Sequence, residues 1–344
     1  MSAKRVTTVG ILYEFESDIE GEARDVPFDP KTHYHWREPE EIEAVSTTLV
    51  DSGFQVVRIG PVSELLKRHH DGTVPDLIWN LSIRSGTRSR TAISSAVLEE
   101  VGVPYTGADA VCRAVTLNKD YWKPAVQEIG VVTPEWTRFA HPSDVKVLPP
   151  WPQWILKPVC EGYSLGVAEF GADDELDKVR SAVDRWNQSF GVASIAEERV
   201  DGREVTVALV GHDAGNRLVS VSEVVDRNGG PLGKTVLDLG AKREGRFSRT
   251  VVDVSDPLRD ASVKAAEKTM ALFGPADYAT FDFRVDEDGR VFLIDINVDA
   301  TLHPRRSLAQ TFAVNGVRYG DVIKQILKSA LSRFGLTDED AADV

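Results

Sequence analysis

Apolar positions recur in two rhythms along this chain. Short unbroken runs in "RVTTVGILYEF", "FQVVRIG" and "VPDLIWNLS" read as buried strands, while "PEEIEAVSTTLVD", helical from Glu40 to Asp51, and "RTAISSAVLEEVG" carry the three-to-four spacing of packed helices. Gly53 stops the first of these helices. Strand alternating with helix, ending in the short strand and turn "VPYTG", predicts a parallel, doubly wound sheet over roughly residues 1 to 115.

The organisation then changes. A helix, "NKDYWKPAVQEIG", and a proline-rich link, "AHPSDVKVLPPWPQW", lead to the strand "WILKPV", a glycine-containing loop, "CEGYSLGV", the helix "DDELDKVRSAVDRWNQ" and the strand "SIAEERV", an α+β pattern. From "GREVTVALVG" onward come several strands, an irregular stretch at residues 227 to 249, the helix "DPLRDASVKAAEKTMALFG", a hairpin and the closing helix "YGDVIKQILKSALSRFG". The expected divisions are 1–116, 117–200 and 201–336, with an acidic tail, 337–344, that lacks apolar periodicity and should fray.

The hairpin "ATFDFRVDEDGRVFLIDIN" alternates strictly around "DEDG". Phe281, Phe283, Val285, Phe292, Ile294 and Ile296 share one face, and Thr280, Asp282, Arg284, Asp295 and Asn297 share the other. A two-residue turn at Asp288-Gly289 would pair residue 287 with 290 and set Asp282 opposite Asp295; a four-residue loop would shift the pairing by two and keep the faces. Opposed carboxylates repel unless a cation lies between them, and a hard divalent ion takes carboxylate and amide oxygens together with substrate phosphates. A solvated outer face fits the same alternation.

Composition narrows the classes. With 344 residues, 42% of them hydrophobic, the chain can build two or three packed domains. A net charge of -14 and a pI near 5.0 oppose a nucleic-acid or anionic-membrane surface. Cys112 and Cys160 are the only cysteines, with no second cysteine at metal-site spacing, which argues against a disulfide framework or zinc knuckle and favours two ordinary thiols in a reducing cytosol. The apolar run before Glu14 is too short for a signal peptide, and nothing approaches a membrane-spanning run of about 20 apolar residues, so a cytoplasmic protein is expected.

Other stretches carry candidate chemistry. Lys119 opens a helix and Lys157 ends a strand before a loop with Gly162, Ser164 and Gly166, a combination suited to an anion and equally to a solvated surface with an ordinary turn. "AEERVDGRE" sets Glu197, Glu198 and Val200 before a turn and Glu204 after it; it reads as a purine and ribose contact or as a charged connector. His33 and His35 lie in the unusual segment "EFESDIEGEARDVPFDPKTHYHW", where an exposed loop pair is the better reading than a metal site.

Taken in order, "VPYTGADAVCRAVTLNKDYWKPAVQEIGVVTPEW", "WILKPVCEGYSLGV", "EERVDGREVTVALVG" and "ATFDFRVDEDG" with "FLIDIN" resemble the ATP-grasp superfamily, in its D-alanine:D-alanine ligase-like branch. The resemblance implies α/β and α+β architecture: a Rossmann-like N-terminal substrate domain, then two ATP-grasp subdomains that grip ATP between them. It places Lys119 and Lys157 on the ATP phosphates, Glu197 to Val200 at the adenine and Glu204 at the ribose. Asp282, Asp295 and Asn297 would bind two magnesium ions, with manganese an alternative. Lys242, in a segment similar to the family's mobile loop, would meet the γ-phosphate; Glu14, or Glu16, would hold the first substrate's amino group. Tyr163 falls in the substrate pocket, and Arg305, Arg306 and Ser307 fall where the family grips the second substrate's carboxylate. Arg84, Arg88 and Arg90 are further candidates for an anionic group.

Departures cluster around the acyl substrate: Tyr163 replaces a Ser, Thr280 an intermediate-stabilising Arg, Arg243 a Tyr, Ala300-Thr301 a Pro-Gly and Asp295 a Glu. The resemblance therefore implies a carboxylate-amine ligase acting through an acyl phosphate on amino-acid-like substrates other than two D-alanines. An ATP-binding regulator without ligase activity, and an enzyme using a thiol or an intramolecular amine, are the alternatives. Partners are small molecules, with neither nucleic acid nor membrane; homodimers are common in the family.

Overall fold

The computed structural model describes residues 4–20, 36–84, 87–162, 164–237 and 246–338. The buried runs near the N-terminus form a parallel sheet in the order Gln55–Gly60, Thr8–Leu12, Leu77–Asn80, with an added bridge between Ile78 and Tyr105. Helices cover both faces. Ile42, Val45 and Leu49 of the helix Pro39–Asp51 pack on Val9, Ile11 and Trp79, while Val62, Leu65 and Leu98 pack on Leu12 and Ile78. The first helix starts at Pro39 rather than Glu40 because proline's fixed φ and missing N–H suit a first helical position.

One cover comes from far along the chain. Val322, Ile323, Ile326 and Leu327 of the closing helix, Tyr319–Phe334, join the core around Val9 and Ile11. The strand Leu336–Thr337 then pairs in parallel with Lys4–Arg5. The carboxylate of Asp76 pins the start of the same sheet, accepting from the backbone N–H and hydroxyl of both Thr7 and Thr8 at 2.9 to 3.1 Å.

The middle of the chain forms an antiparallel sheet in the order Trp136–Phe139, Ser194–Glu198, Gln153–Pro158, Ala168–Gly171. Its core is Trp154 stacked on Phe170, with Val179, Val183 and Trp186 from the helix Leu176–Phe190. A second antiparallel sheet has the order Phe247–Val251, Leu218–Asp226, Arg203–Val210, Tyr278–Val285, Val291–Asn297. The helix Pro257–Phe273, started by Pro257 and capped by Asp256 accepting from the Leu258 N–H, covers one face through Leu258, Ala266 and Met270.

The hairpin corrects one expectation and keeps another. Its turn closes between Asp286 and Arg290 rather than at a two-residue Asp288-Gly289 turn, since the Asp286 N–H donates to the Arg290 carbonyl and Val285 pairs with Val291. A bulge at Ile294 then shifts the register back, so Asp282 still pairs with Asp295. The cost of the bulge is the strict alternation. Leu293 enters the core, whereas Phe292 pairs with Arg284 and Ile294 turns toward the acidic face.

Among the described residues no helix is long and apolar enough to cross a membrane. Cys112 and Cys160 are both free and buried, and burial raises both thiol pKa values, that of Cys160 to about 11.

Candidate active site

The two antiparallel sheets face each other across a cavity of about 670 Å³. The four-stranded sheet offers Lys157 and the segment Glu197, Glu198, Arg199 and Val200; the five-stranded sheet offers Glu204, Arg249, Asp282, Asp295 and Asn297. Lys119, at the start of the helix Lys119–Glu128, lies on the same wall, as do Arg305, Arg306 and Ser307. Residues spread over nearly 190 positions of sequence therefore meet in one place.

Three lysines organise around one carboxylate. Glu197, nearly fully buried, lies 2.7 Å from Lys157 Nζ and 3.1 Å from Lys123 Nζ. Burial alone would raise the Glu197 carboxyl, but the charges of Lys123, Lys157 and Lys119 prevail and hold it below the ordinary glutamate value. Burial pulls the Lys123 ammonium down to about 8, with Glu197 opposing. Lys123 also donates to the Thr133 hydroxyl. Sequence reasoning passed over Lys123, although it sits one helical turn after Lys119 and on the same face, which was the available signal.

The acidic face is held from three sides. Asp295 lies 3.2 Å from Lys119 Nζ, and that ammonium also donates to the Glu161 carbonyl at 3.0 Å. Asp282 accepts from the Thr206 hydroxyl at 2.6 Å, and Asn297 Oδ1 accepts from the Asp299 N–H at 3.0 Å, which fixes the amide with its oxygen as acceptor. Two opposed carboxylates and an oriented amide oxygen are hard donors of the kind magnesium takes, so this donor set fits a divalent ion completed by phosphate oxygens. Among the described residues no group of three or more His, Cys, Asp or Glu forms a separate metal site.

Glu204 is paired with Arg284, Nη1 to Oε2 3.3 Å, and Arg284 also donates to the Val200 carbonyl at 2.9 Å. Arg284 thus ties the Glu197–Val200 segment to the five-stranded sheet.

Several expectations need correcting. Glu14 is completely buried and is not among the cavity-lining residues; its carboxylate accepts from the Ser82 hydroxyl at 2.6 Å and the Ile83 and Arg84 N–H groups at 3.2 and 3.3 Å. Burial nevertheless raises its pKa. It acts here as a brace between the strand Thr8–Leu12 and the segment after Leu77–Asn80. Arg305 and Arg306 do line the cavity, with Arg305 Nη2 donating to Glu40 and Arg306 Nη2 to Glu38, both at 2.6 Å, so a substrate carboxylate there would compete with these glutamates. Arg84, Arg88 and Arg90 lie off the cavity, and Arg90 is buried against Glu161 at 3.2 Å. Tyr163, Lys242, Arg243, His33 and His35 fall outside the described residues.

Paired antiparallel sheets closing on such a cavity, beside a parallel α/β sheet, define an ATP-grasp ligase, an enzyme that uses ATP to form a C–N bond and releases ADP. Residues 135–328 match the family model described as D-ala D-ala ligase C-terminus, and the chain belongs to that family. It is 26% identical over 299 residues to a D-alanine–D-alanine ligase of Novosphingobium aromaticivorans, covering 85% of this chain and 91% of that one. Against the D-alanine–D-alanine ligase of Aquifex aeolicus it is 29% identical over 203 residues, 58% of this chain and 65% of the relative. The fold matches the Bacillus anthracis D-alanine–D-alanine ligase crystallised with ATP at a TM-score of 0.70 and 15% identity, covering 96% and 98% of the two chains. The family uses ATP with a divalent metal and acts on small amino-acid substrates. The expectation that the substrates differ from two D-alanines gains no support from these relatives.

Proposed function

We propose that this chain joins two amino-acid-type substrates through an acyl phosphate, with ATP lying in the cavity between the two antiparallel sheets. The carrying observation is the face-to-face pair Asp282 and Asp295 with Asn297 beside it, on the wall that Lys119 and Lys157 also line. In this reading Lys119 and Lys157 meet the phosphates, Glu197 to Val200 the adenine and Glu204 the ribose, while the three oxygen-bearing side chains hold two magnesium ions. Bound metal would neutralise the phosphate oxygens. A carboxylate oxygen of the first substrate attacks the γ-phosphorus and ADP leaves with the bond electrons. The amine of the second substrate then attacks the acyl carbon; phosphate departs and the nitrogen loses a proton. The protein's contribution is positioning and charge neutralisation.

D-alanine is the first substrate to try, because the relatives named above are D-alanine–D-alanine ligases. Thr280, nearly buried in the cavity wall where the family's dipeptide ligases carry an arginine, favours a wider panel of amino acids and short peptides. ADP release over that panel, with product mass, tests the reading. Turnover lost in both Asp282→Ala and Asn297→Ala supports it; MgATP binding without turnover on any substrate would leave a nucleotide-binding protein instead.

A further inference from the structure

The strand Val291–Asn297 ends at Asn297, and the chain then runs without regular structure to the helix Ser307–Val314. That stretch is buried all the same: Ala300, Leu302 and His303 are each at most 3% exposed. A buried irregular segment depends on side chains to satisfy its backbone polar groups. Here they come from Glu41, in the first turn of the helix Pro39–Asp51, and from Arg37 just before it, 260 to 262 positions away in sequence.

Glu41, 1% exposed, divides its carboxylate between two donors. Oε2 accepts from the Thr301 hydroxyl at 2.7 Å and Oε1 from the Leu302 N–H at 2.6 Å. Oε1 also pairs with Arg37 Nη1 at 3.3 Å, and Arg37 Nη2 donates to the Asp299 carbonyl at 3.1 Å. The Thr301 hydroxyl, having given its proton to Glu41, accepts from the His303 N–H at 3.2 Å. The Asp299 N–H in turn donates to Asn297 Oδ1 at 3.0 Å. An amide oxygen has two lone pairs, so while one is held by that N–H the other can meet a metal ion. Its direction follows from where Asp299 stands. Thr301 replaces a glycine of the dipeptide ligases, which has no hydroxyl to give, so this clamp belongs to the present chain.

We propose that Glu41 is a positioning residue for the metal site: by clamping Thr301 and Leu302 and aligning Arg37 on Asp299, it sets the direction in which Asn297 presents its oxygen. The proposal rests on the reading of Asp282, Asp295 and Asn297 given above. Glu41 acts through the backbone it holds and contributes no ligand. A carboxylate is needed because two donors require two acceptors. In Glu41→Gln the single amide oxygen can serve only one of the Thr301 hydroxyl and the Leu302 N–H, so one donor loses its acceptor.

The test measures how far magnesium tightens ATP. Calorimetry on the full-length protein, with no amino acid present, gives the Kd for ATP in EDTA and in excess Mg2+, and the ratio of the two isolates the metal's contribution. Glu41→Gln and Thr301→Val should each lower that ratio by about 10-fold, the lower end of what disturbing the groups that orient a metal ligand costs. Affinity in EDTA should match wild type, and Thr301→Ser, which keeps the hydroxyl, should keep the ratio. Loss of affinity by the same factor in EDTA and in Mg2+ would mean a structural role alone and overturn the proposal. So would a wild-type ratio in either folded variant, or a loss in Thr301→Ser equal to that in Thr301→Val. Should Glu41→Gln not fold, the two Thr301 variants decide. A wild-type protein whose ATP binding ignores magnesium fails the metal-site reading itself, and this proposal with it.

Discussion

Asp282 and Asp295 face each other directly across the ladder between Tyr278–Val285 and Val291–Asn297, and Lys119 Nζ stands 3.2 Å from the second of them. Like charges in cross-strand register oppose folding unless a cation intervenes. Asp282→Asn should therefore leave stability in EDTA unchanged or raise it by up to about 0.5 kcal/mol. The same variant should lose the extra thermal stabilisation that magnesium gives the ATP-bound protein. Differential scanning fluorimetry with and without the metal reads both; a wild-type magnesium response in the variant would remove Asp282 from the metal site.

Glu197 is buried between two ammonium groups, at 2.7 and 3.1 Å. Lys123→Met removes one of them and leaves the carboxylate paired with Lys157, with the charge of Lys119 beyond. Breaking a buried ion pair from one side costs about 3 kcal/mol, and denaturant unfolding should show a loss of that order.

Gly202 holds φ at +137°, and a Cβ there would lie 2.0 Å from the Val285 carbonyl oxygen, a backbone atom that cannot swing aside. Gly202→Ala should cost about 1–3 kcal/mol and shift the neighbouring Glu197–Val200 segment. If that segment contacts the nucleotide, calorimetry will show weaker MgATP binding. Undiminished affinity in a folded variant would separate the segment from nucleotide recognition.

Asp76 supplies a pH-dependent contribution. Burial would raise its pKa, but the four hydrogen bonds from Thr7 and Thr8 prevail and hold it far below the ordinary aspartate value. With the folded value depressed, the contribution is present in full above the unfolded pKa of about 3.9 and is lost as pH falls through the folded value. Asp76→Asn should accordingly be less stable than wild type at pH 7, with the difference shrinking below about pH 4. A difference independent of pH would assign the role of Asp76 to shape alone.

The chain's own pattern determined more of this protein than its charge or composition did. The strands and helices near the N-terminus and the later antiparallel hairpin are local matters: period acts over a few residues, and the alternation is written in adjacent letters. Local pattern left Lys119, Lys157 and Glu204 open between a ligand contact and a solvated surface; the family resemblance singled them out, and all three line the cavity. Only the tertiary structure could decide that a bulge at Ile294 replaces strict alternation, that Glu14 is sealed behind Ser82, and that Glu38 and Glu40 engage Arg306 and Arg305. The same holds for Arg249, which reaches Ser307 across 58 positions of sequence. Periodicity specifies which face of a strand is buried, but a charge's partner depends on which elements pack together, and that is settled by long-range burial rather than by neighbouring residues.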